Sequence, residues 1–274
     1  MECFVEVDWL AARLGDPNVV VVDARGAPLT VYYANLGREQ YLGAHIPGAI
    51  HLDYAIDLQD PKTTYATRVA EPGRFADVVG AAGIGNDTTV IAYDSGELPY
   101  AARMVWMLRY YGLESAAVLN GGIEAWIESG RTRDSVIPSL DRKRFAPRVR
   151  PELRATKEEV LDVAQGRRDA QLLSVSFDTA YAMRAREIPN AHRLSASRLL
   201  DELHGGRLAP LERLREVTND LDPQKRTITF CGNGVTAAGA FVALVYAGFT
   251  DVAVYDGSLA EWLHDGLPTI AKET

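Results

Sequence analysis

The sequence predicts an α/β protein made of two similar halves, each a mainly parallel sheet with helices on both faces. Short runs of β-branched and apolar residues alternate with longer helical segments, a pattern typical of strands that are buried on both faces. The same features then recur at a fixed interval. Trp126 and Trp262 lie 136 positions apart, and so do Asn120 and Asp256. We expect both tryptophans to pack in the cores of their domains.

Strand, helix and glycine signals can be matched between the two halves. The stretch Thr89–Asp94 is a strand candidate that precedes a helix rich in small residues and then Gly112. The stretch Thr227–Cys231 is followed by a similar helix and by Gly248. Glycine often follows the last turn of a helix, so both helices should end at these positions. We interpret Ser258-Leu-Ala-Glu261 as a capping box that opens the last helix.

The joint between the halves falls in a charged stretch that has no sustained apolar period. Three prolines interrupt this stretch, namely Pro138, Pro147 and Pro151. Such a composition favours a linker that crosses the surface. We therefore expect a first domain over residues 1–130, a linker over 131–153 and a second domain over 154–274.

Composition excludes several classes of function. The formal net charge of −8, with no compensating basic cluster, disfavours nucleic-acid and anionic membrane partners. Cys3 and Cys231 are too few for a disulfide framework, which indicates a reducing compartment. The first residues lack the features of a signal peptide, and no apolar run approaches membrane-spanning length. We expect a soluble cytoplasmic enzyme or binding protein.

The stretch Thr227–Ala237 is the strongest chemical signal in the chain. A cysteine follows a β-branched strand, and glycines at 232 and 234 then lead into a helix. Glycine permits a tight loop whose N–H groups face the sulfur, and the helix end adds a positive potential. Both effects favour a nucleophilic thiolate at Cys231. The alternative is a buried structural cysteine at a strand end.

Five segments, in order, resemble the two-domain sulfurtransferases of the rhodanese superfamily. They are Val20-Val-Val-Asp-Ala-Arg25, Gly43-Ala-His-Ile-Pro-Gly-Ala49, Asn120-Gly-Gly with Trp126, Cys231-Gly-Asn-Gly-Val-Thr-Ala237, and Tyr255-Asp-Gly-Ser with Trp262. The resemblance covers nearly the whole chain and implies two tandem rhodanese-like domains. It also implies that the first domain is inactive, because Asp94 stands where the family has its cysteine.

The resemblance implies sulfur transfer in two half-reactions. Cys231 would take a sulfur from a small donor as a persulfide and pass it to cyanide, a small thiol or a protein thiol. The loop that binds this persulfide would comprise Gly232, Asn233, Gly234, Val235 and Thr236. Converging N–H dipoles stabilise a diffuse persulfide anion, so no cofactor and no metal are expected.

The loop residues also bear on the reaction and on the donor. Rhodanese-fold phosphatases carry an arginine six positions after the cysteine, and this chain has Ala237 there. Phosphatase chemistry is therefore disfavoured. Family members that prefer thiosulfate tend to have a basic residue after the cysteine, whereas those that prefer 3-mercaptopyruvate tend to have Gly-Ser-Gly. The uncharged Gly232-Asn233-Gly234 is closer to the second pattern, so we expect 3-mercaptopyruvate to be favoured over thiosulfate.

The second half is short in the region from which relatives draw arginines for the substrate carboxylate. Asp23 to Ile46 spans 23 positions, but Ser174 to Ile188 spans only 14, which is nine fewer. The remaining candidates for binding the substrate anion are Arg184, Arg186 and, from the first half, Arg68. The alternative for Arg184 and Arg186 is that both are solvated surface residues.

The shortened segment also bears on access to Cys231. We expect it to leave a more open mouth over the sulfur. An open mouth would suit a competing function, a persulfide-carrying relay protein that acts with a protein partner and is weak on small donors.

Overall fold

The computed structural model of the chain describes residues 2–26, 36–63, 68–183, 185–201 and 206–271. These residues form two compact units. Unit 1 holds the described residues within Met1–Asp60, Val69–Arg150 and Glu202–Leu208. Unit 2 holds those within Pro61–Arg68, Pro151–Asp201 and Ala209–Thr274. Two short segments, Pro61–Arg68 and Glu202–Leu208, thus belong to the unit formed mainly by the other half of the sequence.

Unit 1 contains a five-stranded sheet in which all pairs are parallel. The strands stand in the order β1-β5-β4-β2-β3. Their bounds are β1 Phe4–Val5, β2 Val19–Asp23, β3 Ile50–His51, β4 Thr89–Tyr93 and β5 Ala116–Leu119. The helices of the unit are α1 Val7–Ala11, α2 Leu36–Gly43, α3 Pro72–Ala81, α4 Pro99–Tyr110 and α5 Gly122–Glu128.

Unit 2 repeats this topology. Its parallel sheet has the order β6-β11-β10-β7-β9, which matches unit 1 strand for strand. The strands are β6 Arg154–Ala155, β7 Gln171–Ser176, β9 Ala191–Ser195, β10 Thr227–Phe230 and β11 Val252–Tyr255, and β8 Arg186–Glu187 pairs antiparallel with β12 Ile270–Ala271. The helices are α6 Lys157–Ala164, α7 Asp178–Met183, α8 Leu211–Val217, α9 Val235–Ala247 and α10 Ser258–His264, with 3₁₀ turns at Pro151–Leu153 and Ala196–Leu199.

Both faces of the central strands are buried, as parallel sheets covered by helices require. In unit 1, Val21 and Ile91 pack with apolar residues of α1 and α5 on one face. The alternate residues Val20, Val22 and Val90 point to the other face and are also buried. The predicted α/β fold class is confirmed.

The two tryptophans that mark the repeat occupy equivalent places in the two cores. Trp126 is 2% exposed and Trp262 is fully buried. Each indole N–H donates to the carbonyl oxygen six residues later, that of Thr132 at 2.9 Å and that of Pro268 at 2.8 Å. Core packing of both side chains, with the polar edge satisfied, is thereby confirmed.

Residues 131–150, expected as part of a surface linker, carry no helix and no regular strand. They pack on unit 1 through backbone hydrogen bonds, including Lys143 N to Gly80 O at 3.0 Å and Arg148 N to Tyr111 O at 3.0 Å. Phe145 anchors the stretch with a side chain that is buried. The boundaries 1–130, 131–153 and 154–274 stay predictions about independent folding units.

A buried ionic network lies at the end of β2 in unit 1. The Arg25 guanidinium bonds the Asp23 carboxylate through Nε at 3.0 Å and Nη2 at 2.5 Å, and it donates to Ala44 O at 2.8 Å. Tyr93 Oη donates to the same carboxylate at 2.6 Å. Burial and the Asp23 carboxylate together raise the pKa of Tyr93.

Among the described residues of unit 2, the matching place holds a different polar contact. The strand register pairs Asp23 with Tyr93 in unit 1 and Ser174 with Phe230 in unit 2. The hydroxyl of Ser174 donates instead to the buried Glu187 carboxylate, with Oγ and Oε2 2.7 Å apart. The two sheets therefore share a topology but differ in the polar groups that fix their central strands.

Replacing Arg25 by Leu should lower the free energy of unfolding by about 3–5 kcal/mol, because Asp23 stays buried without its cation. Urea denaturation followed by circular dichroism measures the loss. The matched control is Arg142→Leu, whose ion pair with Asp77 is 63% and 80% exposed and should be worth less than about 1 kcal/mol. Equal losses in the two variants would contradict a structural role for the buried pair.

Candidate active site

Cys231 lies directly after β10, where the chain turns into α9. The N–H of Gly234 donates to its sulfur at 3.1 Å, and Oδ1 of Asn233 lies 3.9 Å from the same atom. Gly234 has a φ of +87°, a conformation that favours glycine, and it is the N-cap of α9. The predicted turn from strand to helix, with an amide aimed at the sulfur, is present. We call residues 231–234 the Cys231 loop.

The carbonyl groups of this loop are held away from the sulfur. The N–H of Leu259 donates to Cys231 O at 3.1 Å, and the N–H of Ala260 donates to Gly232 O at 2.9 Å. Both donors belong to the first turn of α10, where N–H groups have no partner within the helix. By binding the carbonyls of Cys231 and Gly232, this turn fixes the backbone orientation of the loop in which the Gly234 N–H donates to the sulfur.

Ser258 is a site residue that the sequence analysis missed. Its hydroxyl oxygen accepts the N–H of Cys231 at 3.2 Å and donates to Tyr255 O at 2.8 Å. The predicted capping box is wrong, because the N-cap is Gly257 and Ser258 makes no side-chain cap. Ser258 is buried with a φ of +49°, which is uncommon for a residue with a Cβ. The only sequence signal was its place in the Tyr-Asp-Gly-Ser motif.

In the equivalent loop of unit 1, residues 94–98, several backbone N–H groups donate to one side chain. We call it the Asp94 loop. The Asp94 carboxylate accepts four backbone N–H groups at 2.9–3.2 Å, donated by Gly96, Leu98, Tyr100 and Ala101. Its own carbonyl accepts the N–H of Ile123 at 2.9 Å, just as Cys231 O accepts that of Leu259. Burial raises the pKa of Asp94, while the four donors act to lower it.

The other residues predicted for the persulfide loop lie in the turn after β10 and at the start of α9. Val235 is the first residue of α9 and is buried, and Thr236 follows it, half-buried. Gly232 and Asn233 are also half-buried. The Cys231 side chain itself is 1% exposed. The sulfur is therefore covered, and the more open mouth expected from the shortened segment stays a prediction.

The three arginine candidates have different surroundings. Arg68 belongs to unit 2, where its Nη1 lies 3.3 Å from Oε1 of Glu261 and its side chain is 34% exposed. Arg186 lies on β8 with an exposed side chain, and its Nη1 donates to Thr269 Oγ1 at 3.3 Å. Arg184 lies outside the described residues. The contacts of Arg186 are those of a surface arginine. Arg68 instead contacts α10, the helix whose first turn is hydrogen-bonded to the Cys231 loop.

Cys3 has surroundings unlike those of Cys231. It is buried, and its sulfur lies 3.0 Å from Nη1 of Arg109. Burial raises the pKa of the Cys3 thiol, against the lowering effect of Arg109. In the sequence, Cys3 is not followed by a glycine-rich loop. Cys231 is thus the better placed nucleophile of the two.

The described residues contain neither a membrane-spanning helix nor a cluster suited to a metal ion. No helix there is long and apolar enough to cross a membrane. No group of three or more His, Cys, Asp and Glu side chains in the same ranges has an arrangement suited to a metal ion. His45 is buried, with Nδ1 2.7 Å from Tyr41 O, which fits the structural role expected of the His-Ile-Pro-Gly turn.

Comparison with known proteins agrees with this geometry. The profile of the rhodanese-like domain matches residues 6–129 and again residues 156–265. The chain therefore belongs to the rhodanese family, with two copies of its domain. The prediction of a two-domain rhodanese-superfamily sulfurtransferase, made from five short motifs, is confirmed.

Individual relatives are sulfurtransferases of two kinds. The chain is 30% identical over 269 residues to 3-mercaptopyruvate sulfurtransferase of Escherichia coli K12, with 94% of each chain covered. It is 32% identical over 283 residues to thiosulfate sulfurtransferase of Bos taurus, with 96% of this chain and 93% of the relative covered. The crystal structure of the E. coli 3-mercaptopyruvate enzyme SseA superposes with a TM-score of 0.86 at 29% identity, covering 94% of this chain and 99% of that one.

Replacing Ser258 by Ala should slow the loading of sulfur onto Cys231 roughly 5- to 30-fold, the effect of losing about 1–2 kcal/mol when the Cys231 amide loses its acceptor. Single-turnover loading followed by mass spectrometry measures the rate. Ser258→Thr retains a hydroxyl and should load faster than Ser258→Ala. A Ser258→Ala variant that loads at the wild-type rate would contradict the positioning role.

Proposed function

We propose that this enzyme moves a sulfane sulfur from 3-mercaptopyruvate to a thiophilic acceptor through a persulfide on Cys231. The observation that carries the proposal is the placement of the buried Cys231 sulfur beside the amide of Gly234, in a loop whose first two carbonyls, of Cys231 and Gly232, are bound by α10. Neutral dipoles of this kind stabilise a developing anion without a metal or a proton donor.

The first half-reaction transfers the sulfur to the enzyme. The Cys231 thiolate attacks the sulfur of 3-mercaptopyruvate, an S–S bond forms, and the C–S bond breaks with its electron pair going to carbon. The resulting enolate of pyruvate takes the thiol proton and leaves as pyruvate, so that Cys231 holds a persulfide anion. With thiosulfate as donor, the S–S bond of the donor would break and sulfite would leave.

In the second half-reaction the acceptor attacks the outer sulfur of the persulfide and restores the Cys231 thiolate. Cyanide would leave as thiocyanate, and a small thiol or a protein thiol would leave as its own persulfide. We propose a thiol acceptor and a cytoplasmic location, since both fit a chain with two cysteines and no disulfide pattern. Nucleic acid is not a proposed partner, because the net charge is −8.

The donor preference rests on the loop sequence and on charge. Gly232, Asn233 and Gly234 place no cation beside the sulfur, which disfavours the dianionic thiosulfate. The relatives carry both kinds of name and so do not decide between the donors. The competing relay function was argued from an open mouth over the cysteine. The 1% exposure of Cys231 supports a small donor over a bulky protein partner.

Arg68 is the cation we propose for the carboxylate of the donor. It belongs to the same unit as Cys231, and its partner Glu261 lies in the first turn of α10, one residue after Ala260. That turn is bonded directly to the Cys231 loop. A guanidinium that is one-third exposed keeps donors available for a second carboxylate.

Replacing Cys231 by Ser should abolish sulfur transfer, because the hydroxyl is not ionised at neutral pH and cannot hold a transferable sulfur. Incubation of the wild type with 3-mercaptopyruvate and no acceptor should add one sulfur, about 32 Da, to the peptide that contains Cys231, and cyanide should remove it. Cys3→Ser is the matched control and should load normally. Turnover by Cys231→Ser, or loss of loading in Cys3→Ser, would overturn the assignment of the nucleophile.

Replacing Arg68 by Ala should lower kcat/KM for 3-mercaptopyruvate roughly 10- to 100-fold, the effect of a charged hydrogen bond of about 1.5–3 kcal/mol. The control is Arg186→Ala, which should change kcat/KM less than about twofold because that side chain is exposed. Parallel kinetics with thiosulfate and 3-mercaptopyruvate test both the arginine and the donor preference. A wild type that strongly prefers thiosulfate would reject the donor, and equal effects of the two variants would reject Arg68.

A further inference from the structure

The segment Gly206–Leu208 is held in unit 1, although the chain on either side of Glu202–Leu208 belongs to unit 2. The N–H of Leu208 donates to Oδ1 of Asn120 at 2.8 Å, and the Leu208 side chain is buried. Nδ2 of Asn120 in turn donates to Glu6 at 2.8 Å, which fixes the amide orientation. A segment from the second half of the sequence is therefore specifically bound by residues of the first half.

The closest approach is between two glycines. A Cβ on Gly206 would lie 2.6 Å from Gly96 O and 2.7 Å from its Cα, and a Cβ on Gly96 would lie 3.2 Å from the Cα of Gly206. Both residues have a positive φ, +81° and +92°. Backbone packs directly on backbone here, and only a residue without a side chain fits. Next to this contact, a Cβ on Gly121 would lie 2.9 Å from Cγ of Arg207.

The position of Gly96 is set by Asp94. The N–H of Gly96 donates to Oδ1 of Asp94 at 2.9 Å, and three further amides of the same turn bind this carboxylate. A Cβ on Gly122 would lie 2.3 Å from Asp94 O and 2.6 Å from Gly96 N, so the helix start also packs tightly on the turn. The surface that receives Gly206 is thus built by the Asp94 loop.

We infer that the Asp94 loop is an internal docking site for Gly206–Leu208, in which the Asp94 side chain serves as a permanent internal hydrogen-bond acceptor that shapes the loop. The loop has not merely lost a nucleophile. It binds a peptide segment of its own chain through the glycine that stands two residues after the aspartate.

The docked segment connects two elements that pack on the catalytic helix. The 3₁₀ turn Ala196–Leu199 precedes it, α8 follows it, and both contact α9, which begins at the end of the Cys231 loop. The N–H of Ala209 donates to Leu199 O at 2.9 Å and ties the two elements together. Docking of Gly206–Leu208 therefore restrains the connection that supports α9, and the Asp94 loop acts as a positioning element for the Cys231 loop.

Gly206→Ala tests the docking, with Gly130→Ala as the matched control. Gly130 also lies in unit 1 with a φ of +76°, but a Cβ there would meet nothing within 4 Å. Hydrogen exchange read by mass spectrometry should show the Leu208 amide exchanging at least about 10-fold faster in Gly206→Ala than in the control, while β4 and β5 stay protected. Equal exchange of Leu208 in the two variants would overturn the docking.

Asn120→Ala gives a second measurement should Gly206→Ala fold poorly, since it removes the acceptor of the Leu208 N–H without a steric clash. Faster exchange confined to the segment supports the docking, and unchanged exchange in Asn120→Ala overturns it.

The positioning role is tested by a different measurement, the single-turnover rate at which sulfur is loaded onto Cys231 in the same variants. We expect a three- to ten-fold slower rate together with faster exchange at the start of α9. A loosened segment with an unchanged loading rate would overturn the positioning role and leave the proposed activity intact.

Discussion

The structure depends on one backbone constraint that occurs once in each unit. At the end of the central strand, the carbonyl of a single residue is bound by the first turn of a later helix, Asp94 O by Ile123 N–H and Cys231 O by Leu259 N–H. With that carbonyl fixed, the amides that follow are directed towards the side chain of the same residue. The glycines around the turn follow from this constraint, because a Cβ there would meet the backbone or require a strained φ.

The same constraint has opposite consequences in the two units because the side chains differ. A carboxylate is small and fixed, and in the Asp94 loop it occupies the amides permanently. A thiolate has one anionic centre that can be extended by a second sulfur, so the Cys231 loop can exchange what it binds. Loop length differs as well. Helix α4 begins five residues after Asp94 and α9 begins four residues after Cys231. Under the proposed function, one unit of the duplicated fold carries the chemistry, and the other carries a stable turn that binds a segment of its own chain.

Much of this could be predicted from the sequence because it is local or repeated. A few neighbouring residues are enough to predict the strand ends, the glycines after α4 and α9 and the Cys231 loop. Because the sequence is duplicated, a strand or helix predicted in one half can be checked against the other half. The role of Ser258 could not be predicted, since its hydroxyl bonds a residue 27 positions away instead of capping its own helix. Nor could the docking of Gly206 on Gly96, where two glycines meet across 110 positions of sequence.

Charge around the Cys231 loop links its geometry to the donor. The loop stabilises an anion with dipoles alone, because no residue from Gly232 to Gly234 is charged. The proposed cation, Arg68, already shares its charge with Glu261, whose carboxylate is 10% exposed. In a partly desolvated environment that carboxylate offsets much of the field of Arg68 while leaving its N–H donors able to orient a ligand. A site in which Glu261 offsets most of the charge of Arg68 disfavours a donor with two negative charges more than a donor with one. This balance supports the proposed donor, a monoanionic keto acid whose carboxylate is separate from the sulfur that is attacked, over a dianion whose charge adjoins the reacting atom.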